Sequence, residues 1–425
     1  MKRTGIHILL TIFVLLAASC RKDEIVLEEP VWAEKPGEGK ETPGKAQDAP
    51  VFPAAMQSLA KVYVDTPGKV GVNSKHRWVN LCRIRIVGEQ ETVLFEADSL
   101  QVKGRGNTTW YSYPKKPFTL KLNHQADFFG TGKSKHYVLL ANWMDRTLLR
   151  NAVAFEAARR TSLEWTPTGR FVELYLNGKH QGNYWLGEKI NEEGSKFKAD
   201  FLFTFDTSDE AERDFYTPYG YRPNTWEDGL PVEVKHPDRD DYEGNGFQAV
   251  LDMSKAELER LGKAIREGNY AGLVDLDSFC DWYLVHEVTG NMEPNHPKSC
   301  FIHLRDGKFH AGPVWDFDWY TLIPGVKGLI ISNSLYYRDL MKDPAFKARL
   351  KERWETLKPE FKSIPEYIDT EAVRIRISAE NDKQMWPCWS TVNGDESMSF
   401  PDAVNRLKQA WNQRIDQVDR AVGKL

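Results

Sequence analysis

Short alternating and β-branched runs dominate the first part of the folded chain. Val62–Val64, Cys82–Val87 and Thr92–Phe95 are such runs, and glycine, asparagine and aspartate residues separate them. This pattern predicts strands joined by turns. The segment Phe118–Leu122 also alternates, so its apolar residues would share one face of a strand while Lys121 lies on the other.

A helix is predicted after Asp145, which is a good N-cap for the sequence TLLRNAVAFEAARR. With the helical period, Glu156 falls near the centre of the apolar stripe that contains Leu149 and Val153. A carboxylate directed at the packed side of a helix needs a partner. Alternatively, a glutamate at the edge of the stripe could reach solvent.

Two hairpins are predicted farther along the chain. Phe171–Leu176 and Gly182–Gly187 flank Asn177-Gly178, which is a strong signal for a tight turn. Cys300–Leu304 and Phe309–Val314 form a second pair of strands around an Asp-Gly turn. Each hairpin would place the residues at its mouth close together.

The pattern changes between and after the hairpins. Residues 191–250 are rich in turn-forming, acidic and aromatic residues, and long loops are expected there. Helices are predicted at Ser254–Glu267, Leu276–Thr289, Pro344–Leu357, Thr370–Ala379 and Asp402–Val422. Strands followed mainly by helices indicate an α+β fold with two lobes, a β-rich N-terminal lobe at 53–190 and a mainly helical C-terminal lobe at 191–425.

The amino terminus has the pattern of a bacterial lipoprotein signal peptide. Lys2 and Arg3 precede the apolar run Ile8–Ala17, which is too short to span a bilayer. Small residues then lead to Cys20, so residues 1–19 are expected to be removed and Cys20 to be lipidated. The alternative is an ordinary signal peptide with a chance cysteine. Lipid on Cys20 would anchor the protein to a membrane.

Residues 20–52 are rich in proline, glycine, glutamate and lysine, and they are predicted to form a flexible tether. The formal net charge of the whole chain is −4, which argues against nucleic-acid binding. Asp23 and Glu24 resemble the acidic tag of lipoproteins that are exported to the surface, although Arg21 and Lys22 blur it. The expected location is therefore the bacterial cell envelope, at the outer membrane or the cell surface.

Several familiar active-site motifs are absent from the sequence. His286-Glu287 begins a zinc-protease motif, but Gly290 stands where its second histidine is needed. There is no G-x-S-x-G motif and no Walker loop, and Gly104-Arg105-Gly106 is only the opening of a dinucleotide-binding motif. No C-x-x-C pair occurs, which argues against zinc bound by thiolates.

The segment His286–Trp319 holds the residues best suited to catalysis. A polar loop follows the predicted helix, and the second hairpin then delivers two aspartates to its mouth. The polar residues of the segment are Asn291, Glu293, Asn295, His296, Lys298, Asp316 and Asp318. Carboxylates beside an asparagine and a lysine suit a divalent cation and a phosphate group. Alternatively, these side chains could only fix the loop to its own backbone.

Six blocks of the sequence resemble the CotH (spore coat protein H) kinase family, in the right order and over roughly residues 62–385. They are RGNTTW, PKKPFTLKL, VLLANWMDRTLLRNAVAFEAAR, LYLNGKHQGNYWLGEKI, DSFCDWYLVHEVTGNMEPNHPKS and AGPVWDFDW. The resemblance implies an atypical protein-kinase-like fold with two lobes.

The resemblance also implies which residues bind the nucleotide. Lys121 would hold the phosphates, with the neighbouring pair Lys115–Lys116 as rival candidates, and Glu156 would steady that lysine. Lys298 stands where protein kinases have their second metal-binding asparagine, and it would also bind nucleotide. Leu186–Lys189 would connect the two lobes and contact the adenine.

In the C-terminal lobe, Glu293 occupies the position of the family's catalytic acidic residue, which is usually aspartate. It would accept the proton of the attacking hydroxyl, but it is one methylene longer, so the base could lie off line. Asp316 matches the metal-binding aspartate that opens the family's DFD-like motif, and Asp318 follows it. Asn295 or Asn291 could complete the metal site.

The resemblance predicts ATP- and Mg²⁺-dependent (or Mn²⁺-dependent) transfer of a phosphoryl group to a serine, threonine or tyrosine hydroxyl of an unknown protein outside the cytoplasm. The alternative is a catalytically weak or inactive, pseudokinase-like surface lipoprotein. Its aromatic loops at Tyr216–Trp226 and Trp386–Trp389 would bind a partner protein or a glycan. A purely structural surface-layer protein is a third alternative.

Overall fold

The computed structural model describes residues 50–53, 56–190, 198–207 and 213–425. The predicted signal peptide, Cys20 and most of the predicted tether lie outside these residues. Among the described residues, no helix combines the length and the apolar character that a membrane crossing requires. The described residues belong to one compact unit.

A closed barrel of strands forms the N-terminal part of this unit. Its strands are β1 (Ala60–Asp65), β2 (Val79–Val87), β3 (Val93–Gly104), β4 (Phe118–Ala126), β5 (Ser134–Leu140), β6 (Gly169–Leu176) and β7 (Lys179–Glu188). They follow the order β1-β2-β3-β4-β5-β7-β6, and the barrel closes because β1 pairs in parallel with β6. The first predicted hairpin, β6–β7, is confirmed, with positive φ at both Asn177 and Gly178 of its turn.

The two faces predicted for β4 are confirmed. Leu120 and Leu122 lie in the core inside the barrel with Tyr137 of β5, whereas Lys121 on the opposite face is half-buried. Val138, the next residue of β5, is fully buried in a second core that also contains the helices. The outer face of these strands is therefore covered, and the polar residues on it lie at the margin of the second core.

Helix α2 (Arg150–Arg159) begins later than the sequence predicts, and a four-residue helix α1 (Thr108–Tyr111) precedes it. Leu148 has a φ of 61°, which a continuous helix cannot contain. Asp145 therefore does not act as the N-cap. Its carboxylate accepts hydrogen bonds from the backbone N–H of Thr147 at 2.9 Å and of Arg150 at 2.8 Å, and so fixes the turn before the helix.

The prediction of long loops at 191–250 is wrong for much of that segment. It contains β8 (Phe201–Phe205), β9 (Phe215–Arg222) and β10 (Glu227–His236). They join β11 (Cys300–Arg305) and β12 (Lys308–Ala311), the confirmed second hairpin, in a sheet of order β12-β11-β8-β10-β9. The many polar and glycine residues hide these strands in the sequence, although Phe203 and Phe205 are buried in the second core.

Helices form most of the remaining C-terminal part. They are α3 (Phe247–Glu267), α4 (Leu276–Thr289), α5 (Tyr337–Leu340), α6 (Pro344–Lys362), α7 (Ile364–Met385) and α8 (Phe400–Val422). The bounds of α4 are those predicted, and the other long helices extend beyond their predicted bounds. Since α4 is buried on nearly all sides, it forms the centre of the helical part. The fold is thus α+β, with a β-rich N-terminal part and a helical C-terminal part.

Candidate functional site

The loop that follows α4 and the segment that follows β12 bring three carboxylates together. Gly290, with a φ of 66°, ends α4, and Glu293 begins a short 3₁₀ turn. Asp316 has a φ of 65°, a conformation that aspartate tolerates better than most residues. The segment therefore bends sharply between β12 and Phe317, and this bend directs Asp316 and Asp318 towards the loop.

Burial and mutual repulsion control the charges of these acids. Burial raises the pKa of Glu293 well above its usual value, and the negative charges of Asp316 and Asp318 raise it further. Burial also raises the pKa of both aspartates, and the two carboxyl groups share a hydrogen bond. Three carboxyl groups so close together in a buried place need protons or a bound cation.

Two basic side chains partly offset these negative charges. The positive charge of Lys298 lowers the pKa of both Glu293 and Asp316, and Arg105 acts in the same way on Asp316. The guanidinium of Arg105 lies 5.1 Å from the centre of the Trp315 ring, and burial lowers its pKa to about 10. Lys298, a site residue predicted from the sequence, thus acts on these acids, and so does Arg105, which the sequence does not single out.

Asp206 is a fourth acid that the sequence does not single out. Its negative charge raises the pKa of Glu293 and of Asp316. The residue directly follows β8, and its carboxylate accepts a hydrogen bond from the backbone N–H of Ser299 at 3.3 Å. Recognition of Phe201–Phe205 as a strand next to β11 was the signal that could have placed Asp206 at the site.

The two asparagines proposed as metal ligands have other contacts. Asn291 accepts a hydrogen bond from the backbone N–H of Glu293 at 2.9 Å and donates one to the backbone carbonyl of Asp316 at 3.2 Å. The side-chain carbonyl of Asn295 accepts a hydrogen bond from the hydroxyl of buried Ser334 at 2.5 Å. Asn291 therefore positions Glu293 and Asp316, whereas the side-chain carbonyl of Asn295 is engaged by the hydroxyl of Ser334.

The carboxylate of Glu293 fits a cation site. The side chain is buried, with 5% of its surface exposed, and its Oε2 atom has no hydrogen-bond partner among the described residues. A buried carboxylate oxygen without a partner is unfavourable. Because Asp316 and Asp318 lie beside it, the oxygen-rich donor set suits Mg²⁺ or Mn²⁺.

A group of cations adjoins the acids on the barrel side. Burial lowers the pKa of Lys189 to about 8, and the positive charges of Lys235, Lys103 and Arg105 lower it further. Burial, together with the positive charges of Lys189, Lys121 and Lys103, lowers the pKa of His136 of β5 to about 3. These cations form a basic group next to the acids, because Arg105 acts on both Lys189 and Asp316. The basic group consists of Lys103, Arg105, Lys121, Lys189 and Lys235.

The predicted ion pair between Lys121 and Glu156 is not formed. The carboxylate of Glu156 lies 2.7 Å from the guanidinium of Arg159 and 2.9 Å from that of Arg160. Glu156 therefore lies at the edge of α2, where basic residues of the last turn neutralise it. Lys121 is on β4 opposite Gln101 and His136, and no hydrogen bond or ion pair joins it to Glu156 in the described structure.

The rival lysines have structural partners. Lys115 is fully buried and lies 2.7 Å from the carboxylate of Asp382, so its charge is paired inside the protein. The amino group of Lys116 donates a hydrogen bond to the backbone carbonyl of Trp110 at 2.5 Å. Neither residue takes part in the basic group.

Helix α2 contacts the acidic segment through other residues. The side-chain carbonyl of Asn151 accepts a hydrogen bond from the backbone N–H of Phe317 at 2.7 Å. The ring of Phe155 packs edge-on against Phe317, with 6.3 Å between ring centres. The helix predicted to supply Glu156 therefore anchors the residue between Asp316 and Asp318.

Comparisons with known proteins give a family and a distant structural likeness. Residues 102–418 match the CotH kinase protein family. A chain in the solved complex of the Shewanella oneidensis MR-1 toxin–antitoxin system HipA, HipB and its operator DNA is similar, with 13% identity and a TM-score of 0.33. The similarity covers 72% of this chain and 65% of that one. No curated protein sequence matches the chain.

Proposed function

This chain belongs to the CotH kinase family, and from that premise we propose that it is a kinase-like phosphotransferase. The reaction is transfer of the γ-phosphoryl group of ATP to a serine, threonine or tyrosine hydroxyl of a protein, with Mg²⁺ or Mn²⁺. The proposed fold is a two-lobed kinase-like one, with residues 53–190 as the N-terminal lobe and residues 191–425 as the C-terminal lobe. The site then lies where the two lobes meet.

The observation that carries this proposal is the buried set of acids beside the basic group. Glu293, Asp316 and Asp318 repel one another unless a cation lies among them, and the Oε2 atom of Glu293 lacks a partner. Asp316 and Asp318 would hold the metal ion, and Asp206, whose charge acts on Glu293 and Asp316, would add a further oxygen. When bound, the ion would neutralise negative charge on the transferred phosphoryl group.

The side chains of the chain itself divide the remaining work. Arg105, Lys189 and Lys121 hold the phosphate chain of ATP, because they form the cationic wall next to the acids. Lys298, whose positive charge acts on both Glu293 and Asp316, orients the γ-phosphate. Glu293 accepts the proton of the attacking hydroxyl, for which its raised pKa makes it a stronger base than an exposed carboxylate.

Titration calorimetry of the purified protein tests nucleotide binding. We expect ATP to bind in the presence of Mg²⁺ and to bind at least about tenfold more weakly without it. Asp316→Asn should abolish the effect of Mg²⁺, while Asp416→Asn, on the exposed side of α8, should retain it. If ATP does not bind to the wild-type protein at any metal concentration, the protein is not a phosphotransferase.

A protein that only binds a partner or a glycan would show no ATP binding in this experiment. Trp226 is 83% exposed and Trp389 is 64% exposed, as the aromatic loops of this alternative require. However, Trp389 packs edge-on against Trp143, with 4.9 Å between ring centres, so part of its surface is structural. Glycan or partner binding that is lost in Trp226→Ala would then be the function to pursue.

We further propose that the protein works outside the cytoplasm, anchored by lipid on Cys20. This proposal rests on the sequence MKRTGIHILLTIFVLLAASC alone. Labelling of cells with a fatty-acid analogue should mark the wild-type protein and leave Cys20→Ser unmarked. Equal labelling of both would disprove the anchor. Because ATP is scarce outside the cytoplasm, a useful further measurement is whether phosphorylation occurs before or after export.

A further inference from the structure

Two histidines face each other across the second hairpin, away from the acidic site. His303 of β11 and His310 of β12 are direct register partners, and their rings stack with 5.0 Å between centres and 12° between planes. Glu164, from the segment between α2 and β6, completes the group. Its Oε2 lies 3.3 Å from Nε2 of His303. One possible ligand atom from each of the three residues lies within 4.8 Å of the other two.

The Nδ1 atom of each histidine lies on the side of a carbonyl or carboxylate oxygen. Nδ1 of His303 is 3.1 Å from the backbone carbonyl of Gly312, and a carbonyl can only accept, so Nδ1 carries the proton. Nδ1 of His310 lies 3.9 Å from the carboxylate of Asp275. Metal-binding histidines characteristically direct one ring nitrogen at a carbonyl or carboxylate and bind the metal through the other. His303 therefore presents Nε2 in the ligating form, and the charge of Asp275 favours the same tautomer of His310 from a distance too long for a hydrogen bond.

Glu164 directs one carboxylate oxygen at the ring of His303. In the tautomer that carries its proton on Nδ1, His303 has its lone pair on Nε2. The lone pair of His303 Nε2 then faces a carboxylate oxygen at 3.3 Å, and two acceptors at that distance attract a cation between them. Arg305 pairs with Oε1, the other oxygen of Glu164, and so leaves Oε2 directed at the ring.

We propose that Glu164, His303 and His310 bind a transition-metal ion, with Zn²⁺ as the best match. Two imidazole nitrogens and one carboxylate oxygen suit Zn²⁺, whereas Mg²⁺ prefers oxygen ligands alone. Donor atoms bound to tetrahedral zinc lie about 3.4 Å apart, and the pair His303–Glu164 already has that spacing. Glu164 is exposed enough for the ion to enter, and His303 is buried. The ion would tie the segment after α2 to the hairpin.

Competition between the purified full-length chain and a chromogenic chelator for Zn²⁺ tests this site. We expect one Zn²⁺ per chain, an affinity at least about tenfold lower in His310→Ala, and a smaller loss in Asp275→Asn. The asparagine removes the charge near His310 but keeps an oxygen that can cap α4 at the backbone N–H of Ser278. His124→Ala changes an exposed histidine of β4 and should bind as the wild type does. Co²⁺ in place of Zn²⁺ should give visible absorption bands that His310→Ala loses.

Two results would overturn the proposal. One is the absence of Zn²⁺ binding to the wild-type chain, and the other is equal affinity in His310→Ala and His124→Ala. Circular dichroism of each variant separates loss of the site from loss of folding, and Asp275→Asn provides a second variant if His310→Ala does not fold. Asp316→Asn should bind Zn²⁺ normally, because it lies in the acidic site and not in this one.

Discussion

The side-chain amide of Asn291 donates a hydrogen bond to the backbone carbonyl of Asp316 at 3.2 Å. The same side chain accepts a hydrogen bond from the backbone N–H of Glu293 at 2.9 Å. One buried asparagine thus fixes the distance between the proposed base and the proposed metal ligand. Because Glu293 is longer than the aspartate usual at this position, this spacing decides whether its carboxylate reaches the reacting hydroxyl.

The variant Asn291→Ala should therefore lower the rate of phosphoryl transfer much more than the affinity for ATP. We expect a loss of about 100-fold in kcat, since a misplacement of about 1 Å has such an effect. Radiolabelled ATP measures the rate, and calorimetry measures the affinity. Asn123→Ala, at an exposed position of β4, serves as control. An unchanged kcat in Asn291→Ala would exclude the positioning role.

Metal binding should depend on pH in a definite direction. Burial and mutual repulsion raise the pKa of Glu293 and of Asp318, so protons occupy the site at acidic pH. A divalent cation displaces these protons, and the affinity for Mg²⁺ or Mn²⁺ should rise with pH, by up to about tenfold per unit for each proton released. Calorimetry in two buffers of different ionisation enthalpy counts the protons. An affinity that falls with rising pH would contradict this electrostatic picture.

Without bound metal, the stability of the folded protein should fall as the pH rises. A carboxyl group whose pKa is raised in the folded state binds its proton more tightly there than in the unfolded chain, so its contribution to stability is lost as pH rises above its ordinary value of 3.8. Asp318→Asn removes the charge and should raise the melting temperature at pH 8 by about 1–3 °C. The difference should vanish near pH 4. A lower melting temperature of the variant at pH 8 would mean that the carboxylate is structurally required.

The basic group can be tested by comparison with a lysine that the structure places elsewhere. Arg105→Ala should weaken binding of Mg²⁺-ATP by about tenfold or more, because it removes the cation next to Asp316. Lys116→Met should leave the affinity within about twofold of the wild type, since Lys116 bonds to Trp110. The reverse order of effects would restore Lys116 as the phosphate-binding lysine.

The pair Glu287–Arg414 predicts a large effect on stability. Both side chains are buried, 3.0 Å apart, and Glu287 also accepts hydrogen bonds from the backbone N–H of Ile330 and Ile331. Arg414→Ala leaves the carboxylate buried without its cation and should lower the free energy of unfolding by about 3–5 kcal/mol. Urea denaturation measures the loss. Recovery of stability in the double variant Glu287→Gln/Arg414→Met would show that the unpaired charge is the cause.

Local patterns in the sequence predict the fold well where neighbours in the chain decide it. The turn at Asn177-Gly178 and the bounds of α4 follow from turn chemistry and from a capped apolar segment. Glycine, proline and polar residues interrupt the alternation in β9 and β10, and β8 pairs on one side with β11, about a hundred residues away. Hydrophobic periodicity contains no information about such distant partners.

The candidate site shows the same division. Glu293, Asp316, Asp318 and Lys298 are close in sequence to two predicted turns, and the structure brings them together. Arg105 and Asp206 come from distant strands, so only the fold adds them. The pairing of Lys121 with Glu156 failed because nearby Arg159 and Arg160 compete for the glutamate, and a helical stripe cannot reveal that competition.

Transfer of labelled phosphate from ATP by the wild-type protein and by Glu293→Gln tests the central claim most directly. Label on protein and label released as phosphate are both counted, with Mg²⁺ or Mn²⁺ present. Glu293→Gln should bind ATP with nearly wild-type affinity but transfer phosphate at least about 100-fold more slowly, because it cannot accept the proton. Equal rates in the two proteins, or no turnover by the wild-type protein while it binds Mg²⁺-ATP, would contradict the proposed catalytic role of this site.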